Sequence, residues 1–459
     1  MMNNYTKKIL DLDKNYLWHP FTQMKSWLAQ EQVAIESGEG FYLIDTDNNR
    51  YIDGVSSLWC NVHGHRVRDI DEAVRAQLDK IAHSTLLGLA QTQSARLAKM
   101  LVDITPENLK KVFYSDSGAT SVEIALKIAY QYYFNIGKPR KKFIALGDSY
   151  HGDTIGSVSV GGIELFHSIF RPMLFDTFFA PSPDPYRFDG SETDCAKFTL
   201  DKIEQHLCQN PGQVAAVITE PLVQGAAGII VHPKGFLKGL RQLTEKYDTF
   251  LIVDEVATGF GKTGKMFACE NEKVMPDILC TAKGITGGYL PLAATLTTQE
   301  IFDGFLGEVD QRRTFYHGHT YTGNALACAA AIASLELFKT NNIIESLPEK
   351  INIIESYLEK FASLPFVGNV RNAGLMAGVE IVQDKAVGRS FPGKALLGAK
   401  LCSIMRKKGA MMRPLGDVIV IMPPVAIDTD TLTELMEIIG DTLINDLPEI
   451  AEEYKCQSN

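Results

Sequence analysis

Short apolar runs punctuate the middle of the chain: KVFY (111–114), FIAL (143–146), VAAVIT (214–219), FLIV (250–253), DILC (277–280) and LAATLT (292–297). Helical stretches separate them. Near-continuous apolar strands interleaved with helices predict a parallel sheet covered on both faces. One intervening helix shows its period plainly. Apolar positions 122, 125, 126, 129, 130 and 133 form a stripe, with Glu123 and Lys127 read as an outward i,i+4 pair. In such sheets ligands sit beyond the carboxyl ends of the strands. The residues that follow each run are therefore the ones to read for chemistry.

The flanks have another texture. Residues 40–54, GFYLIDTDNNRYIDG, place two apolar runs around a polar turn and predict a hairpin of a small sheet. From residue 325 a small-residue helix, ALACAAAIASLELFK, leads into short strands and helices. The fold class expected is α/β, with a mostly parallel sheet in a large domain (66–342). A smaller α/β domain is built from both termini (1–65 and 343–459).

Composition narrows the functional classes. In 459 residues, 45 Lys+Arg against 55 Asp+Glu leave a net charge of −10, which argues against a general nucleic-acid binder or a basic membrane-surface protein. No stretch approaches the ~18 uncharged apolar residues of a membrane helix. The opening MMNNYTKKILDLDKN lacks the apolar core of a signal peptide, so a cytoplasmic location is expected. The eight cysteines form no Cys-x-x-Cys pair and read as reduced thiols. Cys60, His63 and His65 match no structural zinc spacing, so no metal is expected and the histidines read as turn and interface residues.

Candidate chemistry collects after the runs. Ser115-Asp116-Ser117-Gly118-Ala119-Thr120 joins a strand to a helix start, where unpaired N–H groups and the dipole can cradle a phosphate; an N-cap without a ligand reads the same way. Tyr150 stands where an aromatic can stack on a flat ring, or simply pack. Asp254 directly follows Phe-Leu-Ile-Val, and a carboxylate there needs a cationic partner or several donors. Lys283 lies among small residues just past DILC, unlike a lysine on a solvated helix face, and can serve as a Schiff-base nucleophile. The 29 residues from Asp254 to Lys283 make about one strand-connection-strand unit, which places the two on neighbouring strand ends. Gly261-Lys262-Thr263 resembles the end of a P-loop, but Val256 stands where the motif needs glycine.

These groups suit pyridoxal 5'-phosphate (PLP): a cradle (Ser117, Gly118, Ala119), a ring stack (Tyr150, with Val256 on the other face), a carboxylate for the ring nitrogen (Asp254) and an amine (Lys283). Longer motifs carry a resemblance as well. VDEVATGFGKTGK, TAKGITGG and HGHTYTGN resemble the class III (ω-) aminotransferases of PLP fold type I. WHPFTQM, SYHGDTIG, FACE and RPLGDVIVIMPP bring the likeness closer to the adenosylmethionine–8-amino-7-oxononanoate aminotransferases.

The resemblance implies that Lys283 carries the cofactor, Asp254 partners its pyridinium, Gly118 and Ala119 bind its phosphate, and Tyr150 stacks on its ring. It implies a homodimer in which Gly318, His319 and Thr320 reach the cofactor phosphate of the neighbouring subunit. It also implies small-molecule substrates: 8-amino-7-oxononanoate, with Arg413 on its carboxylate, and an amino donor in a cleft lined by Trp59 and Phe21. Four positions depart from the family pattern. Lys262 replaces an arginine, Ala119 a common serine, Leu58 a common tryptophan, and Phe21 the tyrosine typical of members that use S-adenosylmethionine. The last change favours lysine as donor. Another class III ω-aminotransferase, acting on a diamine or ω-amino acid, shares the cofactor set without WHPFTQM or RPLGD. A non-catalytic protein of the same fold would have little use for Lys283 and Asp254.

Overall fold

The computed structural model describes residues 3–455. Near the N-terminus three strands, β1 (Ile35–Glu39), β2 (Tyr42–Asp45) and β3 (Arg50–Asp53), form an antiparallel meander. The turn after β2 is set by Asp45, whose carboxylate accepts from the amides of Asp47 and Asn49. Next come β4 (Leu109–Ser115), β5 (Lys142–Leu146), β6 (Phe178–Ala180), β7 (Val214–Thr219) and the short pair β8 (Val223–Gln224) and β9 (Ile230–Val231). The central region ends with β10 (Phe250–Asp254), β11 (Ile278–Thr281) and β12 (Ala293–Thr298). Beyond these lie β13 (Val367–Ala373), β14 (Met376–Ile381), β15 (Ala410–Met411), β16 (Arg413–Leu415) and β17 (Val418–Ile421).

Seven strands make the large sheet, in the order β4-β12-β11-β10-β7-β5-β6. The strands β6, β5, β7, β10 and β11 run parallel, and every residue of β7 and β10 is buried, as a sheet covered on both faces requires. β12 is the exception that makes the sheet mostly, rather than wholly, parallel: it is antiparallel to both β11 and β4. An apolar run such as LAATLT has no direction of its own, and the direction is set by the connection before it. The reversal brings the start of β12, not its end, to the functional edge.

The helix Gly118–Asn135 is also buried more widely than one stripe. Ile124, Ile128 and Tyr132 join the core, while Tyr130 is exposed. Its Glu123 and Lys127 do not pair. Glu123 accepts from the Gly156 amide at 2.7 Å, and Lys127 meets the His317 ring at 2.9 Å. Lys127 is exposed and Glu123 half-buried, so only the lysine keeps to the outward face expected of the pair, and each charge finds its partner on a neighbouring segment.

Both ends of the chain share structure. β15 adds in parallel to β3 through Ala410–Ile52 and Met411–Asp53, and β13, β14, β17 and β16 form a second antiparallel sheet beside it. His63 is buried against Ser334 and Phe338. Of the cysteines, Cys195, Cys269, Cys280, Cys328 and Cys402 are buried free thiols; Cys456 lies outside the described residues. Among the described residues no helix is long and apolar enough to cross a membrane.

Candidate active site

Five parallel strands deliver their carboxyl ends to one edge of the large sheet, and each end carries a functional group. β4 leads to Ser117 and Gly118, β5 to Tyr150, β7 to Glu220, β10 ends in Asp254, and β11 leads to Lys283. The parallel register pairs Asp254 with Cys280, which sets the carboxylate three residues from Lys283 on the adjacent strand. Together with Trp59, Ala119 and Val256 these residues line a cleft of ≈ 670 Å³. Leu290, Pro291 and Leu292, just ahead of the reversed β12, close one wall.

The cradle begins with a capped helix. Ser117 Oγ accepts from Thr120 N–H, and Thr120 Oγ1 accepts from Ser117 N–H. The Ser117 hydroxyl is thus engaged in the cap. Gly118 and Ala119 precede the first intrahelical hydrogen bond, so their amides are the donors left for a ligand. A Cβ on Gly118 would stand 2.5 Å from Val256 Cγ1, and one on Gly152 2.4 Å from Ala119 Cβ. This packing leaves no room for side chains and brings main chain close to any bound anion.

Asp254 is buried, and its oxygens are assigned. Oδ1 accepts from Val256 N–H at 3.0 Å, and Oδ2 meets His151 Nδ1 at 2.8 Å. His151 is itself buried, with Nε2 unpartnered. Its neighbour Tyr150 donates its hydroxyl to Asp153 Oδ2 at 2.7 Å and offers its amide to Glu220 Oε1 at 3.0 Å. Glu220 also accepts from Gly225 N–H at 2.8 Å, and burial pushes its carboxyl up to about 7. His151 and Glu220 were not singled out from the sequence. The signal was present, since His151 follows Tyr150 and Glu220 follows VAAVIT, at the edge where chemistry collects.

Lys283 starts a single tight turn in the left-handed region, at φ 44°. Burial lowers its pKa below that of an ordinary lysine, opposed by the charges of Asp254 and Glu220. Its Nζ lies 4.7 Å from the Trp59 ring centroid. Lys262 is a second amine, buried and without a hydrogen-bond partner. Burial, then repulsion from Lys283, lowers it to about 7. Turns rather than a helix follow it directly, so the P-loop likeness of Gly261-Lys262-Thr263 ends there.

Trp59 is held by unusual backbone. Ser56, Ser57, Leu58 and Trp59 all have positive φ, at 44°, 48°, 73° and 68°. Four consecutive left-handed residues without a glycine cost roughly 1–2 kcal/mol each. The ring itself is buried against Val223, Ile229, Met376, Val420 and Met422.

The remaining expected residues lie apart from the cleft lining. Phe21 is 57% exposed and meets the Tyr150 ring edge-on at 6.4 Å. Arg413 is exposed on β16, opposite Val420 of the Trp59 cluster. Gly318 and Thr320 are exposed, and His319 Nδ1 lies 3.6 Å from Asp116 Oδ2.

Comparison with known proteins agrees with this architecture. Residues 24–443 match the class-III aminotransferase family. The adenosylmethionine-8-amino-7-oxononanoate aminotransferase of Geobacter sulfurreducens is 49% identical over 94% of this chain and 96% of its own. The crystal structure of the Methanocaldococcus jannaschii enzyme of the same name superposes with a TM-score of 0.91 at 47% identity, covering 95% of this chain and 99% of that one. An amine transaminase from an uncultivated Pseudomonas species, solved in its PLP-bound form, superposes with a TM-score of 0.88 at 32% identity, over 94% of this chain and 98% of that one. The chain belongs to the class-III aminotransferase family, of PLP fold type I, and groups there with the adenosylmethionine-8-amino-7-oxononanoate aminotransferases.

Proposed function

We propose that this protein is a PLP-dependent aminotransferase that converts 8-amino-7-oxononanoate to 7,8-diaminononanoate, a step of biotin biosynthesis. The observation that carries this is the meeting of Asp254 and Lys283 at neighbouring strand ends in one cleft, beside a glycine-floored helix start. The donor set fits PLP. Lys283 would hold its aldehyde, Asp254 its ring nitrogen, the Gly118 and Ala119 amides its phosphate, and Tyr150 and Val256 its two faces. Bound there, the cofactor supplies a carbonyl for amine exchange and a ring that withdraws electrons.

The chain's own groups supply the rest. The lowered pKa of Lys283 increases the share of neutral amine near pH 7, so Nζ can both attack and carry a proton. His151 holds Asp254 in place from behind, and the Val256 amide fixes its other oxygen. Arg413 would take the oxononanoate carboxylate. Trp59 and Phe21 would bound the substrate.

The relatives' names favour S-adenosylmethionine as donor over the lysine that Phe21 suggested. We assign a homodimer in the cytoplasm. Exposed Tyr316 and Tyr321 flank the segment that holds Gly318, His319 and Thr320, which supports a partner-facing role for that segment. Purified enzyme loaded with PLP should turn over 8-amino-7-oxononanoate with S-adenosylmethionine, the product being identified by mass. Lys283→Ala should lower this by about 10²–10⁴-fold or more. Turnover with lysine alone reassigns the donor. Turnover only of other ω-amino acids or diamines removes the oxononanoate assignment.

A further inference from the structure

We propose that Asp53 is a positioning residue: its carboxylate clamps the left-handed turn Ser56–Trp59 and so sets the Trp59 ring against the Lys283 amine. The inference rests on reading the cleft around Lys283 as the active site. A run of four left-handed residues lacking glycine does not persist on its own, because each Cβ crowds a neighbouring carbonyl. Something must over-determine it.

Asp53, fully buried at the end of β3, supplies that constraint. Oδ1 accepts from Ser57 N–H at 2.8 Å, and Oδ2 accepts from Ser57 Oγ–H at 2.6 Å. Oδ2 also meets His65 Nε2 at 3.0 Å, which gives the carboxylate an anchor outside the turn. A second tie comes from Ser56, whose hydroxyl donates to Met422 O at 2.7 Å. The strand bearing Asp53 is in turn locked in parallel to Met411. The turn is thus fastened to both terminal parts of the chain, and its output is Trp59. The ring stands 4.7 Å from Lys283 Nζ, and a Cβ at Gly225 would approach it to 3.2 Å. Relaxing Ser57 or Leu58 toward ordinary backbone would rotate the indole out of that slot.

The test is made on cofactor-free protein, in a Trp18→Phe/Trp27→Phe background that leaves Trp59 as the only tryptophan. Loss of one of the Asp53 bonds shifts the turn's population by about fivefold. Ser57→Ala and Asp53→Asn should therefore shift Trp59 emission to the red and raise its acrylamide quenching, while far-UV dichroism stays constant. Leu58→Asn, which favours left-handed backbone, should partly restore the parent values when added to Ser57→Ala. Emission and quenching unchanged in both single variants would overturn the clamp, and Ser57→Ala decides the matter if Asp53→Asn does not fold. In the PLP-loaded enzyme the same variants should alter kcat more than the KM of the donor. If the parent lacks transaminase activity, the reading of the cleft fails while the fluorescence result still judges the clamp.

Discussion

Lys262 shows how much a single buried amine can cost. It has no hydrogen-bond partner, and burial takes it from 10.5 in the unfolded chain to about 7 in the fold. Between those values the unfolded chain binds more protons than the folded one, so stability rises with pH through this window. Below about 7 both states are protonated and the full penalty applies. Lys262→Met should therefore stabilise the cofactor-free protein at pH 6 by on the order of 1–4 kcal/mol. The gain should shrink by pH 9, as urea unfolding at the two pH values would register. If Lys262 also receives a substrate carboxylate, the same variant gains stability while losing apparent affinity for oxononanoate. Asp254→Asn makes a different demand. The amide oxygen can still accept from Val256 N–H while the amide NH2 donates to a neutral His151 Nδ1, so the fold should hold, but the charge proposed to face the cofactor is gone. Turnover should fall by about 10²–10⁴-fold with little change in melting temperature. Sequence made Lys283 and Asp254 legible because each closes an apolar run with a group that water would otherwise claim. His151 and Glu220 were harder to see, because polar residues after a strand are ordinary loop residues until burial is known. The turn at Ser56–Trp59 gave no sign at all, since Ser-Ser-Leu-Trp contains no glycine.

At the scale of elements, the cradle is a contact between the start of the helix Gly118–Asn135 and the segment after β10. Gly118 has an ordinary φ, so its need for glycine is spatial: the added methyl of Gly118→Ala would meet Val256 Cγ1 at 2.5 Å. Overpacking of that kind costs typically 1–3 kcal/mol, and here it would be relieved by moving the two amides. Gly118→Ala should weaken PLP binding by about tenfold or more, measured by equilibrium titration of the cofactor-free protein. Val256→Ala should restore much of the loss, as removing the opposing methyls reopens the space. Failure of the pair to rescue would mean that the glycine serves the helix start rather than the packing. The strands themselves were legible as runs, but their polarity was not. β12 reads like its neighbours and runs the other way, and the three-residue β6 is too short to stand out from its surroundings.

At the scale of the molecule, the terminal segments were expected to pack together, and they do more than pack: β15 extends the sheet begun by β3. Long-range pairings of this type leave no local periodicity, so only the hairpin and the texture change hinted at them. The surface carries a further demand. Leu87 is 90% exposed, Tyr316 81% and Tyr321 61%. They belong to adjoining segments, for His83 lies 5.0 Å from the Tyr321 ring and Asn324 donates to Ala82 O. Apolar patches of this kind on a folded surface mark interfaces. If the chain forms the homodimer proposed above, Leu87→Asp combined with Tyr321→Asp should convert it to monomers in sedimentation velocity, with secondary structure unchanged. If Thr320 of one subunit reaches the cofactor phosphate of the other, the monomer also loses a hydrogen bond to a charged group, worth about 1.5–3 kcal/mol. Such monomers should bind PLP about tenfold more weakly or worse. Monomers that hold PLP as tightly as the parent would show that each cleft is complete within one chain.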